Sequence, residues 1–171
     1  NKFLAEVPYN QRDTIECNDT LIPIAKINTP AGDSSSTQIA FGKIMNQIAG
    51  SRDEFSKRIV TTSPDVASST NLGAWVNKRG VYHANETIDT FKQENIPSTL
   101  TWLQAPKGQH IELGIAESNL FSLLSSLGQA EKHFGTRLLP IGTVYDPFIC
   151  RGLDAMNYAC YQDARFMIVG T

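Results

Sequence analysis

The sequence predicts an α/β domain, a parallel sheet with helices on both faces. Three observations carry this. Helical apolar periods alternate with short β-branched or apolar runs in the order helix, strand, long loop, strand, helix, strand, helix, strand. Two of the helical stretches place apolar residues at i, i+3, i+4 and i+7. And the run His110-Ile111-Glu112-Leu113-Gly114-Ile115-Ala116-Glu117 takes a short strand pattern into a glycine and then into a carboxylate that opens a helix. In open α/β sheets ligands bind outside the carboxyl ends of the strands, so Glu117 is a candidate site residue. An acid in the first turn also stabilises any helix by complementing its positive end.

The elements follow in order. Residues 1–33 are polar and proline-bearing without a sustained period, and read as a linker or docking arm. Ser34-Ser35-Ser36 offers an N-cap to a helix carrying Phe41, Ile44, Met45 and Ile48, with Gly50 as the stop. Arg58 to Thr62 is a short strand. From Ser63 to Gly108 the pattern dissolves into Asn, Gly, Pro and Thr-rich sequence, which predicts irregular structure with short helical pieces. Trp75 and Trp102 in it read as exposed, available to close over a site or to meet a second subunit. Gln109 to Leu113 is a strand, and Glu117 to Leu127 a helix on Leu120, Leu123, Leu124 and Leu127, closed by Gly128.

Arg137 to Val144 reads as a third strand, in which Pro140 points to an edge or a bulge. Asp146-Pro147 starts a helix running to about Cys160, with Asp as cap and Pro at the first position. Arg165 to Val169 is a fourth strand, apolar enough to be covered on both faces. An α/β domain that stops just after such a strand is expected to be a fragment of a larger polypeptide, because a buried parallel strand needs a neighbour on each edge.

Composition bounds the function classes. With 171 residues, 41% of them apolar and 19% charged, the chain is sized for one globular domain with a real core. A formal net charge of −2, with Lys and Arg scattered, gives no reason to expect nucleic-acid binding. No apolar run approaches the roughly 18 residues of a membrane span, and no secretory leader is seen, so the expectation is a cytoplasmic protein. Cys17, Cys150 and Cys160 lack metal-type spacing, and the last two fall in an apolar helical pattern that predicts buried free thiols. His83, His110 and His133 are too far apart to suggest a transition-metal site. The tripeptides Asn18-Asp19-Thr20 and Asn85-Glu86-Thr87 match the glycosylation pattern by chance.

Several motifs together resemble a known family. Phe41-Gly42-Lys43, Arg58-Ile59-Val60 leading to Ser63-Pro64-Asp65, Lys107-Gly108-Gln109, the Glu117 turn, Tyr145-Asp146-Pro147-Phe148, and the run Tyr158 to Arg165 resemble the thiamin-diphosphate-dependent transketolase superfamily. Within it they are most similar to the homodimeric pyruvate dehydrogenase first component. The resemblance covers Ser36 to Thr171 and implies the pyrimidine-binding domain, residues 34–171, with its carboxyl-terminal part missing. It also implies a separate preceding domain for the diphosphate and its magnesium; Gly32-Asp33-Ser34 does not match that domain's metal motif.

The resemblance implies roles residue by residue. Glu117 would hydrogen-bond the ring nitrogen of the cofactor's aminopyrimidine and so direct the proton chemistry of catalysis. Phe148, with Tyr145 beside it, would grip the flat ring, and Asp65 would lie near the cofactor or the subunit interface. Arg151 and Asp154 would approach the substrate; without the resemblance they form an i,i+3 surface pair. The implied activity is oxidative decarboxylation of pyruvate or a related 2-oxo acid, with acyl transfer to a lipoyl-bearing acyltransferase, at a site formed between two subunits of a homodimer. The alternatives are ketol transfer of the transketolase or deoxyxylulose-phosphate synthase kind, which share the cofactor and the glutamate, and a non-catalytic interaction domain of the same fold.

Overall fold

The computed structural model describes residues 22, 26–28, 34–64, 67–88, 93–97 and 101–171. Most of the arm expected over 1–33, Cys17, the first glycosylation tripeptide and Asp65 lie outside them.

In chain order the elements are α1 (Thr37–Gly50), α2 (Glu54–Arg58), β1 (Ile59–Ser63), α3 (Gly73–Arg79), β2 (Val81–Tyr82), β3 (Gln104–Ala105), β4 (His110–Glu112), α4 (Glu117–Gly128), α5 (Ala130–Phe134), β5 (Leu139–Val144), a 3-10 segment (Asp146–Gly152), α6 (Leu153–Tyr161) and β6 (Met167–Gly170). The strands form one six-stranded sheet in the order β3-β2-β4-β1-β5-β6. Every pairing is parallel.

This order has a physical reading. From β1 the chain moves toward one edge through α3 to β2 and β3, then returns to lay β4 beside β1. From β4 it crosses through α4 to β5 and β6 on the other side. Right-handed crossovers in opposite directions put their helices on opposite faces of the sheet. Two separate apolar clusters agree. Met45, Ile48 and Ala49 of α1 and Trp75 and Val76 of α3 pack on Ile59, Val81 and Ile141, while Leu120 and Leu124 of α4 pack on Val144. In β5, Leu139 and Ile141 face the first cluster and Val144 the second, as the two-residue period of a strand requires. Each fully buried leucine or isoleucine contributes roughly 1.5–3 kcal/mol of hydrophobic stabilisation.

The helix starts are chemically legible. The Ser36 hydroxyl accepts from the Ile39 N–H at 3.2 Å and caps α1. The Asp53 carboxylate accepts from the Ser56 N–H at 2.7 Å and caps α2, a hydrogen bond that holds its pKa below the usual value.

Five expectations need correction. The 63–108 segment contains, besides helix α3, the two strands β2 and β3, each two residues long. Trp75 is not exposed: it is fully buried, and Trp102 is half-buried against the same cluster. Pro140 marks no edge, since β5 pairs with β1 on one side and β6 on the other; the β6 ladder begins one residue later, at Ile141 opposite Met167, so Pro140 sits where that ladder has not started. Strand β6 is not covered on both faces, with Met167 56% exposed. Cys150 and Cys160 are exposed rather than buried. The segment opening this last helix winds as a 3-10 helix, which rotates side chains away from the faces that an α-helical period assigns.

Among the described residues, no helix is long and apolar enough to cross a membrane.

Candidate functional site

Strands β1 and β4 are neighbours whose onward connections run in opposite directions, so the chain splays apart beyond their carboxyl ends. This is the topological switch point at which open α/β sheets bind ligands. The segment after β4 is shaped by Gly114, whose φ of +68° suits a residue without a side chain. Three residues on, Glu117 begins α4. Its N-cap, Ala116, has no side chain able to bond the first-turn amides, so Glu117 supplies the negative charge there.

Glu117 is nevertheless largely withdrawn from solvent, its side chain 10% exposed. Its Oε1 accepts from Nη1 of Arg151 at 3.0 Å. The Arg151 guanidinium in turn lies over the Phe148 ring, 4.1 Å from its centroid. Phe148 meets Tyr145 edge-to-face, with centroids 6.2 Å apart and planes at 75°. Four of the six residues singled out from the sequence thus form one contiguous series, Tyr145, Phe148, Arg151 and Glu117.

The 3-10 segment explains how. At three residues per turn, side chains at i and i+3 stack on one ridge, so Tyr145, Phe148 and Arg151 align toward α4. The Phe148 N–H donates to the Tyr145 carbonyl at 2.8 Å. The Ser118 hydroxyl donates to the Arg151 carbonyl at 3.1 Å, and a side chain at Gly152 would collide with the Phe121 ring, so the 3-10 segment packs tightly on α4. Phe148 also packs against the Leu120, Leu124 and Val144 cluster, which fixes its ring.

Asp154 is not brought in. It lies past the change from 3-10 to α-helix, is exposed, and forms no ion pair among the described residues. The i,i+3 pair expected between Arg151 and Asp154 gives way to the pair with Glu117 because the ridge turns at residue 152. Asp65 falls outside the described residues.

Two polar arrangements went unread in the sequence. His110 is fully buried in β4, with its Nδ1 2.9 Å from the Thr61 hydroxyl on β1 and its Nε2 without a hydrogen-bond partner among the described residues. Burial lowers its pKa from 6.5 to about 4. At the opposite, amino end of the sheet, the Gln109 side-chain amide donates to the carbonyls of Ser56 at 2.9 Å and Ile59 at 2.6 Å. The Gln109 side-chain carbonyl accepts from Arg79 at 3.2 Å. Arg79 also donates to the carbonyls of Ser51 and Ile48, and burial lowers its pKa. The adjacency of Gln109 to strand β4 was visible in the sequence; its carbonyl partners, 53 and 50 residues earlier, were not.

The arrangement at Glu117 can hold a flat, nitrogen-bearing ring. An aromatic face, a neighbouring aromatic edge and a buried carboxylate converge on one place, and a planar N–H donor, the Arg151 guanidinium, already rests there. Among the described residues no cluster of metal-ligating side chains occurs. In comparisons with known proteins the chain matches no family model and no curated protein.

Proposed function

We propose that this chain is the pyrimidine-binding half of a thiamin-diphosphate-dependent enzyme that decarboxylates pyruvate or a related 2-oxo acid and passes the acyl group to a lipoyl carrier. The observation that carries the reading is the Glu117 carboxylate, sheltered at the switch point of a parallel sheet and facing a planar donor stacked on Phe148. The motif resemblance supplies the cofactor, and the residues fit it. An aminopyrimidine is flat, offers N–H donors, and carries a ring nitrogen that a carboxyl group can bond.

When bound, thiamin diphosphate supplies the acidic carbon and the electron sink for decarboxylation. Glu117 holds the proton at the aminopyrimidine ring nitrogen, which sets the tautomer of that ring. Phe148 stacks on the ring and Tyr145 braces Phe148 from the side. The diphosphate and its magnesium fall to another domain, and a second subunit completes the site.

The test uses the complete polypeptide, stripped of cofactor and resupplied with thiamin diphosphate and magnesium, with pyruvate as donor and an artificial electron acceptor. Turnover is expected, and Glu117→Gln should reduce kcat by at least about a hundredfold, the scale of a lost general acid–base partner. Consumption of a ketose phosphate with pyruvate inert would move the reading to ketol transfer. A complete polypeptide that binds no cofactor would leave a docking domain.

A further inference from the structure

The contacts of Arg151 reach further than the proposed function, on which this inference rests. Its guanidinium is a planar cation with N–H donors on its edge. It is stacked over Phe148, 4.1 Å from the ring centroid, and donates to Glu117 Oε1 at 3.0 Å. An aminopyrimidine bound by the same two residues needs the same aromatic face and the same carboxylate. Ring and guanidinium cannot occupy that place together.

We infer that Arg151 is a resident stand-in for the cofactor's pyrimidine, a gate that must swing off Phe148 and release Glu117 before the ring can seat. The backbone beneath it is pinned, through the Ser118 hydroxyl bond to the Arg151 carbonyl and the close packing of Gly152 on Phe121. The side chain is not pinned. It is 56% exposed, and its only described ion pair is the one with Glu117. A long side chain on a fixed base, with water on its outer side, can rotate away without disturbing a packed core. The apparent affinity for cofactor is then the intrinsic affinity reduced by the fraction of molecules in which the gate stands open.

The test measures the dissociation constant of thiamin diphosphate, in the presence of magnesium, by calorimetry on the complete polypeptide and its Arg151→Met and Arg151→Lys variants. Removing a half-exposed ion pair together with a cation–π contact should tighten binding in Arg151→Met by about three- to tenfold. Arg151→Lys keeps the charge but loses the flat fork, so it should show a smaller gain in the same direction, and it carries the test if the methionine variant misfolds. A residue serving only the fold would not tighten binding when removed. Wild-type binding with unchanged or weaker affinity in the variants overturns the gate and leaves the proposed function standing. No binding by any of the three proteins overturns both.

Discussion

His110 shows how a single side chain ties this fold to pH. Its imidazole protonates near pH 4 in the folded protein, because burial penalises the charged form, and near 6.5 when unfolded. Between those values the unfolded chain binds more protons. Stability is therefore complete above about pH 6.5 and falls as pH drops toward 4, by on the order of 3 kcal/mol at most. Urea unfolding at pH 7, 6 and 5 should show the midpoint decreasing, and His110→Gln should flatten that slope. An unchanged slope in the variant would mean that other groups carry the dependence. At this scale the sequence singled out Glu117, Phe148, Tyr145 and Arg151 through their resemblance to family motifs, and the structure brings these four side chains together. It was silent on His110, whose burial depends on pairing with Thr61, 49 residues away.

At the scale of elements, local periodicity decided what could be read. Helices α1 and α4 were legible because each carries more than two turns of apolar stripe, and all four anticipated strands occur. Strands β2 and β3 were not legible, since two residues cannot display a two-residue period. The 3-10 winding after β5 was also hidden, and with it the exposure of Cys150 and the ridge that delivers Arg151 to Glu117. Gln109 clamps elements that the sequence keeps far apart, bonding the carbonyls of Ser56 and Ile59 and the Arg79 guanidinium. Gln109→Ala removes three part-buried hydrogen bonds and should cost about 2 kcal/mol of unfolding free energy, measurable as a lower urea midpoint at unchanged m-value. A loss below about 0.5 kcal/mol would show that water replaces the amide.

Across the whole molecule, the crossing of the chain from one side of β1 to the other creates both the switch point and the two-faced architecture. The α/β class and the helices on both faces were readable from the alternation of patterns. The strand order was not, because adjacency in a sheet is decided by crossover direction rather than by any residue. Glycine placement shows what close docking demands: at Gly108 any side chain would collide with the backbone of Val81 and Tyr82, so the β2 edge approaches β4 only because that position is bare.

The two apolar clusters, described above as packing on opposite faces, also divide the protein into separately adjustable halves. Tyr145, Phe148, Arg151 and Glu117 all belong with the α4 face, and none draws on α1 or α3. Met45→Ala and Leu124→Ala remove buried side chains from the two halves, and each should cost about 2–5 kcal/mol. With the sheet between them, the double variant should lose the sum of the two to within about 0.5 kcal/mol, unless the strands that feed both halves, β5 and β6, shift in response. Additivity would make the α1 and α3 side a ballast: a place where substitutions can accumulate, and stability be gained or lost, while the Glu117 cluster on the far side of the sheet is left as it was.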